Sequence, residues 1–212
     1  DALIKADLRG VESHGVSNML RAYLGAFKSN SLNPKPNWKI VKETPSCATI
    51  NSDNGLGIVV APQAMEIAVE KAKKTGAGIV TMNNCGHLGM LAYHSMIASD
   101  NDMIGTTMAA CSPRMVPTYS SVRAIGTNPI SYSAPADKLP DFVFDAAMTS
   151  VAGNKIVLAS RLNVPLSPGW IADKDGNPIL VPELVPKTKL ELKRFKAAES
   201  RRLIRIQKRP VS

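Results

Sequence analysis

Two histidines stand in short polar stretches where an imidazole could move a proton. His87 lies in Asn83-Asn84-Cys85-Gly86-His87-Leu88-Gly89, and His14 lies in Ser13-His14-Gly15. Imidazole is the side chain whose ordinary pKa, roughly 6.5, suits proton exchange near neutrality. Glycines on either side of His87 allow positive φ and close approach of another molecule. The plain alternative is that His87 caps a helix or hydrogen-bonds a loop, and that His14 is a capping or surface residue. Cys85, two residues before His87, could be a nucleophile, although a small buried hydrophobe is the commoner role for such a thiol.

Both histidines depend on the elements around them. Gly78–Met82 reads as a strand running into the His87 turn, and a helical pattern starts at Leu88. A helix over Ser17–Lys28 has Met19, Leu20, Tyr23, Leu24 and Phe27 on one face, which puts Ser13-His14-Gly15 just before its N-terminus. Free backbone N–H groups there favour an anion. Arg21 lies one to two turns further along that helix. Leu32–Trp38, with Pro34 and Pro36, is an extended connector, and Lys39–Asn51 holds two short strand-like runs around Pro45. Asn54-Gly55 and Gly57 make a turn before a helix over Ile58–Thr75, which Gly76 stops. Met103–Ala110 and Phe142–Phe144 are strand-like, and the alternation of Ile130–Ala134 marks a half-buried strand. Gly126–Pro129 is a turn, Ala146–Ser160 can form a helix carrying Lys155, and Pro165–Pro178 is a loop turning at Asp175-Gly176-Asn177.

The 212 residues suffice for one substantial core or two small ones, and a hydrophobic fraction of 44% is ordinary for a soluble protein. No apolar run approaches the roughly 20 residues of a membrane span, and no secretory signal is visible. Cys47, Cys85 and Cys111 are an odd, widely spaced set. They suggest neither disulfides nor a metal site, and fit reduced thiols in a cytoplasmic protein. The net charge of +9 is concentrated: residues 187–212 hold ten basic and two acidic residues, leaving only +1 for the rest. The body gives no reason to expect nucleic acid. The basic tail could bind nucleic acid or anionic membrane nonspecifically, but one aromatic, Phe195, makes no stacking platform. Its plain reading is a solvated end.

Taken in order, ADLRGVESHGVS, NNCGHLG, CSP, GTNP and FDAAMTS followed by GNK resemble the malate/L-lactate dehydrogenase family of the non-Rossmann kind. The resemblance covers about residues 1–184, and the order and spacing of the blocks make it specific. It implies an α/β fold in which a mixed, largely antiparallel sheet is flanked by helices. The absence of a G-x-G-x-x-G turn after a strand agrees with it. Three segments follow: residues 1–57 as a helical, substrate-side segment, 58–186 as the NAD(P)-binding domain, and 187–212 as a tail outside the resemblance.

The implied activity is hydride transfer between NAD(P)H and a small 2-oxo or 2-hydroxy acid. His87 matches the family's acid/base histidine, and His14 a second active-site histidine. Ser13, Arg21 and Tyr23 become candidates for substrate binding. Arg21 could fork onto the substrate carboxylate, as a planar guanidinium can and an ammonium cannot. Cys111, Ser112, Asn128, Pro129, Asp145, Ala146, Ala147 and Lys155 become candidates for contacting NAD or NADP, with no metal. The family also implies a homodimer with the site near the subunit interface.

The sequence departs from the family in two places. Asn18 stands where many relatives have an arginine, and no GSHKGYG-like stretch follows Pro186. The expectation is a family chain truncated at both ends. Its alternative function is that of an inactive remnant serving as a binding or oligomerisation module.

Overall fold

The computed structural model describes residues 1–117, 122–167 and 169–171. The basic tail, the Asp175-Gly176-Asn177 turn and the end of the Pro165–Pro178 loop lie outside the described residues.

Two helices open the chain, α1 (Ala2–Leu8) and α2 (Val16–Lys28), joined through a single 3-10 turn at Glu12–His14. The apolar stripe of α2 buries Met19 and Tyr23 against Leu56, with Leu3, Phe27, Leu32 and Ile58 around them. Strands β1 (Lys39–Glu43) and β2 (Cys47–Gly55) pair antiparallel, and β2 pairs in parallel with β3 (Ile79–Cys85). The connection from β2 to β3 is α3 (Gly57–Thr75), as a parallel crossover requires. Val60, Ala64 and Ala68 recur at four-residue spacing on its buried face, and Val60 and Ala64 pack on Ile50 of β2. Gly76 ends α3 in the left-handed region at φ 83°, a conformation glycine adopts without cost.

A second sheet follows in the order β4 (Gly105–Met108), β5 (Ile130–Ala134), β6 (Phe142–Ala146), antiparallel throughout. Helix α4 (Ala92–Ser99) lies against it, and α5 (Gly153–Leu162) returns toward α2. The buried face of β5 is its serine face. Ser131 and Ser133 are both 0% exposed. The Ser131 hydroxyl contacts Ser95 Oγ at 2.8 Å and donates to Phe144 O at 2.8 Å, while Ser133 Oγ donates to Ser95 O at 2.5 Å. Small hydroxyls let α4 approach the sheet closely while satisfying one another.

The α/β class and the mixed, mainly antiparallel pairing agree with expectation. Four local readings need correction. The expected single sheet is, among the described residues, two three-stranded sheets. Asn54-Gly55 is the end of β2, not a free turn: Asp53 and Asn54 take φ 52° and 54°, and the register shift this allows brings Gly55 opposite Cys85. Helix α4 starts at Ala92 rather than Leu88, because Gly89 at φ 72° holds the preceding loop out of helix. Helix α5 starts at Gly153 rather than Ala146, because Ala146 is still paired with Ile130 and Met148 N–H donates to Thr127 O at 2.8 Å.

Candidate active site

The loop bearing His87 is pinned by backbone contacts before any side chain acts. Gly86 N–H donates to Gly55 O at 2.8 Å, and Ile58 N–H, in the first turn of α3, donates to His87 O at 3.2 Å. This closeness depends on Gly57, where a Cβ would stand 2.5 Å from Gly86 O and 2.8 Å from His87 O. Next to the loop, His94 Nε2 sits 2.8 Å from Leu88 O, which ties α4 to the same turn.

His14 comes to the same place from the 3-10 turn. The two imidazoles stack with centroids 5.5 Å apart and planes 15° from parallel. Tyr23, buried on α2, places its hydroxyl 2.7 Å from His87 Nδ1, and the Gly89 N–H points at that nitrogen from 3.3 Å. Ser13 Oγ lies 2.9 Å from His14 Nδ1. Four sequence candidates are thus linked in one series of contacts, Ser13 to His14, His14 to His87 and His87 to Tyr23.

The electrostatics follow from this packing. Burial, and secondarily the neighbouring His14, push the His87 imidazole down to about 4. His87 is exposed on one side, yet its ring lies between His14 and Tyr23. Burial also lowers His14 and raises Tyr23 well above the usual phenol range. At neutral pH the cluster is therefore two uncharged imidazoles and an intact phenol.

Three residues that sequence reading did not select complete the cluster. Asn154, in the first turn of α5, points its amide nitrogen at His14 Nε2 (3.4 Å) and at His87 Nε2 (3.5 Å). Its carbonyl accepts from the buried Asn18 amide at 3.1 Å, and Asn18 also donates to Ser13 O at 2.8 Å. Arg161 closes the join by donating to Ser17 O at 2.7 Å and Asn18 Oδ1 at 2.9 Å. The G-N-K block was visible in the sequence, but nothing local ties its asparagine to a histidine 140 residues away.

Arg21 does not join the cluster. Two positions from Tyr23, it stands about 200° around the helix from it and is exposed. The anion expected at the α2 N-terminus is one of the chain's own side chains: Asp7 Oδ2 accepts from Val16 N–H at 2.9 Å.

The segments expected to meet a cofactor converge at one end of the second sheet. Ala109 N–H donates to Pro129 O at 3.2 Å, and Cys111 N–H donates to Asn128 Oδ1 at 3.0 Å. With the Met148–Thr127 bond, these contacts join the loops at Cys111-Ser112, Asn128-Pro129 and Ala146-Ala147. Residues 147–152 then lead straight to Asn154. The Asp145 carboxylate is engaged elsewhere, accepting Ala92 N–H at 2.7 Å at the start of α4, and burial raises its pKa. The Lys155 ammonium lies over the Trp170 ring, 5.4 Å from its centroid.

The site is thus a stacked pair of neutral imidazoles, one half-buried and one exposed, backed by a buried phenol and lying beside joined polar loops. The family described as malate/L-lactate dehydrogenase matches residues 1–192, and the chain belongs to that family. The match runs past residue 184, where the sequence resemblance was drawn to end. The L-sulfolactate dehydrogenase of Methanocaldococcus jannaschii is 41% identical over 182 residues, which are 86% of this chain and 52% of that protein. A ureidoglycolate dehydrogenase (NAD(+)) of Escherichia coli O157:H7 is 30% identical over 182 residues, again 86% and 52%. The crystal structure of malate dehydrogenase from Entamoeba histolytica superposes with a TM-score of 0.79 at 31% identity, covering 93% of this chain and 53% of that one. The chain spans about half the length of these relatives.

Proposed function

We propose that the chain carries the proton-transfer centre of an NAD- or NADP-dependent oxidoreductase that interconverts a small 2-hydroxy acid and the corresponding 2-oxo acid. The observation that carries this reading is the meeting of His14 and His87, which stack with centroids 5.5 Å apart and whose Nε2 atoms both contact Asn154 Nδ2, at 3.4 and 3.5 Å. Relatives named as dehydrogenases of sulfolactate, malate and ureidoglycolate support the substrate class.

The residues present fit a nicotinamide cofactor through the chemistry of the rim. Cys111, Ser112 and Asn128 are exposed on loops bonded to one another, and they offer a hydroxyl, an amide and backbone donors. Pro129, Ala146 and Ala147 would shape that rim, and Lys155 and Asp145 would sit behind it. When bound, the nicotinamide supplies hydride acceptance and donation.

The chain's own residues handle the proton. With its pKa held to about 4, His87 is an uncharged base at neutral pH, ready to take the proton from a C2 hydroxyl. Tyr23 holds that ring through Nδ1, and Ser13 holds His14 in the same way. In reduction His87 must first acquire a proton, and a substrate carboxylate beside it would raise its pKa and favour that state. A homodimer whose second subunit lies near the site is part of the proposal, and sedimentation of the purified chain tests it.

The test is to mix the chain with NAD+ or NADP+ and a series of 2-hydroxy acids and follow formation of the reduced nicotinamide. Formation with the native chain and its loss in His87→Asn supports the reading. Turnover that survives His87→Asn contradicts it.

A further inference from the structure

We propose that Asn154 is a positioning residue that sets which ring nitrogens of His14 and His87 carry protons, and so couples the two imidazoles into one unit.

The geometry gives one amide nitrogen two partners. Asn154 Nδ2 lies 3.4 Å from His14 Nε2 and 3.5 Å from His87 Nε2. With its two N–H bonds turned inward it serves both lone pairs at once. Each neutral ring then keeps its hydrogen on Nδ1, where a partner waits: Ser13 Oγ at 2.9 Å for His14, and Tyr23 Oη at 2.7 Å for His87. In this arrangement both Nδ1–H groups have hydroxyl acceptors, and both Nε2 atoms are unprotonated acceptors of the Asn154 amide. The Gly89 N–H, 3.3 Å from His87 Nδ1, favours the other tautomer of His87, so the Asn154 amide and the Gly89 N–H compete to set where that ring keeps its hydrogen.

Protonating either ring at Nε2 sets an N–H against the amide N–H. The amide must then turn its oxygen inward, and the other ring loses its donor. One side chain thus reports the state of each ring to the other. The Asn154 main chain is held from behind, since its backbone carbonyl accepts from the Asn18 amide, which Arg161 in turn holds, and the side-chain amide stays able to turn.

Among the described residues, few other titratable groups face the rings. Tyr23 comes from α2. Asp7 is engaged at the α2 N-terminus, Arg161 with Ser17 and Asn18, and Lys155 with Trp170. The effect on proton chemistry rests on the dehydrogenase reading, whereas the titration of the pair does not.

The experiment is imidazole nitrogen NMR on the 15N-histidine-labelled 212-residue chain across pH, with Asn154→Asp, Asn154→Ala and Asn154→Gln. The native chain is expected to show both rings as Nδ1–H tautomers at neutral pH. Asn154→Asp, which only accepts, should move both rings toward Nε2–H and raise both midpoints by on the order of one pH unit. Asn154→Ala should weaken the coupling to what the direct stacking of the two rings supplies, and Asn154→Gln should restore part of it. Asn154→Ala also decides the question should the aspartate variant fail to fold. Tautomers and midpoints unchanged in the folded variants would overturn the proposal, even with dehydrogenase turnover intact. Altered titration in a chain that never transfers hydride would uphold it and sink the dehydrogenase reading alone.

Discussion

The Tyr23 hydroxyl lies 2.7 Å from Nδ1 of His87, joining a buried residue of the second helix to a loop 64 residues further on. The bond fixes the ring's rotation and leaves Nε2 facing His14 and Asn154. Tyr23→Phe keeps the buried ring but releases the imidazole. It should lower turnover on the order of tenfold, the worth of one hydrogen bond of about 1.4 kcal/mol. Steady-state kinetics of the folded variant decide this, and unchanged turnover removes Tyr23 from the account.

Gly57→Ala should damage the site although it lies outside it. Alanine normally stabilises a helix by about 0.5–1 kcal/mol relative to glycine. Here its Cβ would press against Gly86 O and His87 O, so the His87 loop must move. The expected result is loss of activity together with a change in His87 chemical shifts. A more stable protein of full activity would show that the close approach is unimportant.

Stability should depend on pH in a stated direction. His14, His87 and His94 all have folded pKa values below the ordinary 6.5, with burial as the first cause. Below 6.5 the unfolded chain binds more protons than the folded one, so stability falls as pH drops from 6.5 toward about 4, the His87 value. Above 6.5 these groups contribute no slope. Urea midpoints compared at about pH 5 and about pH 7.5 should be lower at the acid end; equal midpoints would count against the burial of the pair.

The join between α2 and α5 can be broken on its own. Asn18→Ala removes the donor to Ser13 O and Asn154 O and leaves Arg161 without its side-chain partner. A cost of about 1–3 kcal/mol follows from stranding buried polar groups. Chemical denaturation measures it, and a change below a few tenths would mean the helices are held by packing alone.

Asp145 is both a cofactor candidate and the acceptor at the start of α4. Asp145→Ala should cost about 1 kcal/mol of stability, as loss of a helix cap does. A variant of native stability with weakened cofactor binding would assign the carboxylate to the cofactor alone.

What could be read from the sequence was mostly local. The amphipathic stripe of α2, the glycine stop after α3 and the alternation in β5 each follow from neighbouring residues. The order of the motif blocks carried the family. Missed were features set by distant partners: strand pairing that carries Ala146 past its helical pattern, and a buried face of β5 built from serines that a hydrophobic alternation would turn outward. Asn154 escaped notice for the same reason, since its partners lie in two other segments. Arg21 illustrates the converse, because proximity in sequence to His14 does not place it on the same side of the helix.

The most direct measurement is the pH dependence of hydride transfer in both directions. With His87 an uncharged base of pKa about 4, kcat/KM for 2-hydroxy acid oxidation should rise through that pH and be level by neutrality. The value for 2-oxo acid reduction should instead fall about tenfold per pH unit above it. Both limbs should vanish in His87→Asn. Profiles that are flat in both directions, or that persist without His87, would contradict the assignment of proton transfer to this histidine pair.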